Sequence, residues 1–135
     1  MIAADTSVVV PALAGWHEDH ARAHAFLDET PDVVLLGHVA VETYAVLTRL
    51  RPPHRARPEH VIEALRLTFP TCGPGLSAPA HLDLLERAAG RGVQGGAIYD
   101  ALVAATAMES GLELVSLDQR AAATYAVVGA AYRLL

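Results

Sequence analysis

Lysine is missing altogether from this 135-residue chain, so all ten of its basic side chains other than histidine are arginine. Cysteine occurs once, at Cys72, which excludes an intrachain disulfide and suits a reducing compartment. Aromatic residues make up 5% and no apolar run nears the roughly 20 residues needed to span a bilayer, so no membrane segment is expected. The opening "MIAADTS" lacks the basic stretch and long apolar core of a secretory signal, and a cytoplasmic protein is expected. Positive charge is scarce as well. The formal net charge of −5 argues against holding nucleic acid by bulk charge, though a bound metal can reverse the sign locally.

What is present is a folded composition: 53% hydrophobic and 19% charged residues, too apolar for disorder. At this length one core is expected, burying roughly two-thirds of the unfolded surface, so residues 1–135 read as a single domain. "MIAAD" reads as a short strand ending in Asp5, and "TSVVVPALAG" as a helix after it. "HEDHARAHAFLDE" suits an amphipathic helix with Ala21, Ala25, Phe26 and Leu27 on its apolar positions. "VVLLG" reads as a buried strand and "HVAVETYAVLTRL" as a helix with Glu42 on a stripe with Val39 and Val46. The proline-rich "RPPHRARP" breaks that helix, "EHVIEALRLTF" begins another, and "PTCGPGLSAP" is either a loop or a short strand. A helix over "AHLDLLERAAGRG" precedes "AIYDALVAATAM", a helix with little surface for water. "LELVSL" is a strand closed by Asp118, "QRAAATYA" a short helix and "VVGAAYRLL" a strand-like tail. Alternating strands and helices imply an α/β fold with a parallel sheet, whose sites form outside the carboxyl ends of the strands.

Four acids fall where such a site forms. Asp5 and Asp118 each end a strand, and either also reads as the N-cap of the following helix. Asp100 lies in a first helical turn, where the helix dipole favours a carboxylate by about 0.3–1 kcal/mol. Desolvation beside so apolar a helix costs more than that, so something must neutralise Asp100. Glu42 is either a solvated acid, a partner of Arg49, or a member of the same cluster, with Glu42 and Asp100 both expected in first helical turns. Four clustered carboxylates cannot all stay ionised without cations. Hard divalent ions such as Mg²⁺ prefer oxygen ligands, and a two-metal cluster activates water against a phosphodiester.

With these residues in order, the chain resembles PIN-domain ribonucleases, particularly the toxin subunits of VapBC-type toxin–antitoxin pairs. The matching stretches are "AADTSVVVPAL", "HVAVETYAVLTRL", "GVQGGAIYDALVAATAMESGLELVSLDQRA" and "YAVVGA", with the poorest match from Arg51 to Pro79. The resemblance implies a PIN-like α/β/α sandwich with a central parallel β-sheet. It also implies endonucleolytic RNA cleavage dependent on Mg²⁺ or Mn²⁺, restraint by a cognate VapB-type antitoxin, and a homodimer. The family's acidic quartet falls on Asp5, Glu42, Asp100 and Asp118, with Asp5, Glu42 and Asp100 as the main metal ligands and Asp118 completing or supporting the site. Ser116, two residues before the last acid, is a supporting residue that would orient a carboxylate or a metal-bound water. Thr6 and Ser7 after Asp5 also match, with starting the helix as their first role.

Other features carry less. Arg120 and Arg49 are candidates for substrate phosphate, and Arg51, Arg55 and Arg57 make the densest basic segment, either RNA-facing, solvated, or bound to an acidic antitoxin tail. His17, His20 and His24 share one helix face by spacing and read as surface rather than a zinc site. Cys72 reads as a small buried hydrophobe or incidental, and Trp16 as a packing residue. A haloacid-dehalogenase phosphatase would need a second aspartate where Ser7 stands, and a receiver domain needs a strand-end lysine. A non-catalytic PIN-like binding module and a nuclease acting on DNA are the alternatives.

Overall fold

In the computed structural model, which describes residues 1–135, three strands form a parallel sheet in the order β1 (Ile2–Ala4), β2 (Glu113–Ser116), β3 (Tyr132–Leu134). Ala4 stands opposite Val115, and the Asp5 N–H donates to the Val115 carbonyl at 3.0 Å. The central strand is thus made late in the chain yet pairs with its beginning. Beyond β1 the sheet continues through single parallel bridges, Ala3 with Val34 and Leu35 with Cys72. "VVLLG" therefore contributes buried residues, Val33 to Leu36, but only single bridges instead of a full strand. The "PTCGPG" stretch likewise supplies one bridge, and Cys72 is exposed, not a core residue.

Seven helices cover this sheet in the α/β/α sandwich that the resemblance implies: α1 (Thr6–Leu13), α2 (His20–Glu29), α3 (Gly37–Arg49), α4 (Pro58–Thr68), α5 (Ala78–Gly90), α6 (Ala97–Glu109) and α7 (Gln119–Val128). α1 packs against α2 and α3, and α3 against α4. On the other side of the chain order, α5 packs on α6 and α6 on α7. A cluster of 28 buried residues binds these layers, including the fully buried Leu114 and Val115 of β2 and Val8 and Val9 of α1. Leu84, Ala101 and Ala105 form a small second cluster where α5 meets α6.

α6 is buried nearly all round, as its sequence predicts: Ala101 and Val103 to Ala107 are all inaccessible. Its small side chains let neighbouring helices approach closely, and Gly95, at φ +61°, supplies the left-handed turn into it. α7 runs through Val127 and Val128, two residues the sequence assigned to the final strand, because Gly129 at φ +88° ends it in the left-handed conformation. α2 buries Ala23 and Phe26, whereas Ala21 and Ala25 are exposed, so its inner face is rotated from the expected one. His17 lies before α2 instead of on it; His20 and His24 do adjoin, at 5.3 Å between ring centroids.

Candidate active site

β1 and β2 run side by side and end together, so the residues just beyond them are delivered to one place. Asp5 follows β1 directly and Asp118 lies two residues beyond β2. Asp100 comes from the first turn of α6 and Glu42 from the second turn of α3, not its first. All four carboxylates line one cavity of about 420 Å³, together with Thr6, Ser7, Arg120 and Tyr125. Of the two arginines singled out from sequence, Arg120 is on its wall. Arg49 ends α3 and does not line it, nor does it pair with Glu42.

Each acid is held differently. Asp5 is 4% exposed, and its side chain makes no cap; instead Oδ1 accepts from Ser7 Oγ at 2.5 Å and Oδ2 from Tyr125 OH at 2.6 Å. Glu42 Oε2 accepts from Thr6 Oγ1 at 2.8 Å and lies 3.7 Å from His38 Nε2. Thr6 therefore positions an acid as well as opening α1. Asp118 does act as an N-cap, its Oδ1 accepting from the backbone N–H of Arg120 at 2.9 Å and Ala121 at 3.3 Å. Capping and cavity lining coexist in that residue, since the cap engages only one of its oxygens.

Ser116 is fully buried and lies beneath the cavity, outside its lining. Its hydroxyl accepts from the Asp118 N–H at 3.0 Å and lies 3.2 Å from Ser7 Oγ, which in turn accepts from the Leu117 N–H at 2.8 Å. This chain of hydroxyls joins the two acid-bearing strand ends from beneath. Ser7, expected from sequence mainly to start the helix, instead holds Asp5, and Tyr125 is the member that sequence reading missed, since nothing local relates it to a residue 120 positions earlier.

The electrostatics match the geometry. Burial raises the Asp5 carboxyl above its ordinary value, opposed by the hydroxyls of Ser116, Ser7 and Tyr125. Asp100 is pushed up to about 6, first by desolvation and then by the charges of Asp118, Glu42 and Asp5. Tyr125 is raised by burial and by Asp5, which keeps its phenol protonated and donating. A site that penalises its own negative charge favours a cation, and an all-oxygen donor set suits a hard divalent one. No three acidic, histidine or cysteine side chains close into a ready-made metal cage. A hard divalent ion that uses one or two carboxylates and keeps several waters does not require such a cage.

A family model described as "PIN domain" matches residues 2–127. Ribonuclease VapC40 of Mycobacterium tuberculosis is 46% identical over 125 residues, covering 93% of this chain and 92% of that protein. Ribonuclease VapC27 of the same organism is 38% identical over 129 residues, covering 95% and 92%. Among solved structures, M. tuberculosis VapC20, described as a sarcin-ricin loop cleaving toxin, superposes with a TM-score of 0.74 at 21% identity, over 91% of this chain and 94% of that one. DNA-bound VapBC from Salmonella typhimurium gives 0.70 at 19% identity, over 99% and 98%.

Proposed function

The chain belongs to the PIN domain family as a VapC-type ribonuclease, and on that premise we propose that it is a toxin that cuts RNA endonucleolytically using Asp5, Glu42, Asp100 and Asp118. The observation that carries this reading is the convergence of four carboxylates in one cavity, with Asp100 raised by desolvation and then by the charges of the other three. Asp5, Glu42 and Asp100 are the main residues that would hold Mg²⁺ or Mn²⁺, with Asp118 supporting them. A divalent cation there supplies Lewis-acid activation of water and neutralises charge developing on the phosphodiester.

The chain's own side chains do the rest. Ser7 and Tyr125 fix both oxygens of Asp5, and Thr6 fixes Glu42, so neither acid must reorganise when substrate arrives. Ser116 sets the backbone of Asp118 through its N–H. Arg120 is the residue that would meet a substrate phosphate, which its place on the cavity wall supports. The whole of residues 1–135 is taken as one PIN domain, restrained by a VapB-type antitoxin and acting as a homodimer. The similarity to VapBC structures supports the antitoxin partner.

Parallel digestion of RNA and single-stranded DNA, with Mg²⁺ and with EDTA, tests the reading. The expected result is Mg²⁺-dependent cleavage of RNA, lost on the order of 100-fold or more in Asp5→Asn, Glu42→Gln and Asp100→Asn, equivalent to about 3 kcal/mol. RNA cleavage that persists in all three variants overturns the site. Cleavage of DNA alone overturns the substrate, and no metal-dependent cleavage of either leaves a binding module.

A further inference from the structure

The cavity presents a difficulty for an enzyme that binds a polyanion. Its wall carries five carboxylates, since Asp19 joins the quartet, against one arginine. Over the whole chain the formal charge is −5. The densest run of positive charge is the α3–α4 loop, where Arg51, Arg55 and Arg57 fall within seven residues, all exposed. None of the three is in an ion pair; the one arginine that is, Arg133, sits against Glu113.

This loop is ordered and attached to the cavity rim. The His54 N–H donates to the Arg51 carbonyl and the Ala56 N–H to the Leu47 carbonyl, each at 3.0 Å. Arg55 Nε donates to the Leu50 carbonyl at 2.8 Å, leaving its terminal nitrogens free. The His54 ring lies 4.3 Å from that of Trp16, and Trp16 lies 5.6 Å from His17, which is itself on the cavity wall. Trp16 packs as expected from sequence, but against these rings at the surface and not in the core, and stays 46% exposed. A half-exposed Trp16 in contact with His54, which sits on a loop with three unpaired arginines near the acid-lined cavity, combines the two things a single nucleic-acid strand needs: aromatic rings for bases and cations for phosphates.

We infer that Trp16, His54, Arg51, Arg55 and Arg57 form a binding track for single-stranded RNA that continues the acid-lined cavity past His17. The inference rests on the ribonuclease reading. It assigns binding of the flanking strand, not the cleavage step, to a segment in which sequence shows no family motif. The track supplies positive charge outside the cavity, where it does not compete with the cation for the four acids.

The test is fluorescence anisotropy of a labelled single-stranded RNA on the full chain, with Ca²⁺ in place of Mg²⁺ so that binding is read without relying on turnover. Kd is measured over a salt series and KM and kcat are measured with Mg²⁺. Arg51→Gln/Arg57→Gln is expected to flatten the slope of log Kd against log salt by about 1.4, roughly 0.7 per lost phosphate contact. Trp16→Ala is expected to weaken binding about tenfold with the salt slope kept, and Trp16→Phe to restore most of it. In both cases the loss falls on KM more than on kcat. Thermal midpoints establish that the variants fold; loop glutamines that leave Kd, KM and the slope at wild-type values overturn the track while wild-type cleavage keeps the ribonuclease reading intact. Wild-type protein that neither binds nor cuts RNA overturns both.

Discussion

Asp100→Asn is expected to stabilise the metal-free protein while disabling it. In the fold this carboxyl is raised from 3.8 to about 6, so between those values the folded state holds a proton that the unfolded chain has already released. Stability from this group is therefore full below about pH 3.8 and is lost as pH rises through about 6. The full shift corresponds to about 3 kcal/mol, and because Asp100 is partly exposed, solvent screening brings the cost at pH 8 to about 1–2 kcal/mol. Asparagine keeps the shape and removes the charge. At this chain length the gain appears as roughly 5 °C in the thermal midpoint. Melts of both proteins in EDTA at pH 8 and pH 4 read it: the variant leads at pH 8, and the lead shrinks to a small fraction at pH 4. Saturating Mg²⁺ reverses the order, since a ligand at 100 times its Kd adds about 2.7 kcal/mol only where its site is intact. An equal advantage at both pH values, or none at pH 8, would refute the claim that Asp100 is held charged against its surroundings.

Three further outcomes are expected. Tyr125→Phe removes the donor to Asp5 Oδ2 and leaves a buried carboxylate under-satisfied, costing about 1.5–3 kcal/mol in denaturant unfolding at pH 7, with RNA cleavage reduced as well. Thr43→Val is expected to stabilise, by about 1 kcal/mol in the same assay, because Thr43 Oγ1 is buried with no partner. Leu114→Ala, at the fully buried centre of β2, is expected to cost about 2–5 kcal/mol and lower the thermal midpoint without changing metal specificity.

The parts of this molecule that repeat locally were legible in sequence. α6 announces itself by an unbroken apolar run, and Asp5 and Asp118 by their place between a strand and a helix. Their convergence followed from the rule that parallel strands end together, without coordinates. Pairings at long sequence separation were not legible. Tyr125 with Asp5, Thr6 with Glu42, and Trp16 with His54 each depend on how helices settle on the sheet. The same limit explains α2, where alanine spacing alone did not distinguish the face carrying Ala23 from that carrying Ala21. "VVLLG" reads as a strand because it is buried and β-branched, but hydrogen-bonded neighbours decide strand length, and here each side offers only one bridge.

The pairing of β1 with β2 also orders events in time. Asp5 is synthesised 110 residues before its neighbour across the sheet, Val115, and Tyr125, which holds its second oxygen, comes later still. Until β2 and α7 have been made, Asp5 lacks both the strand that sets it beside Asp118 and the phenol that holds its second oxygen, so this corner of the cavity is assembled only after the helices between them.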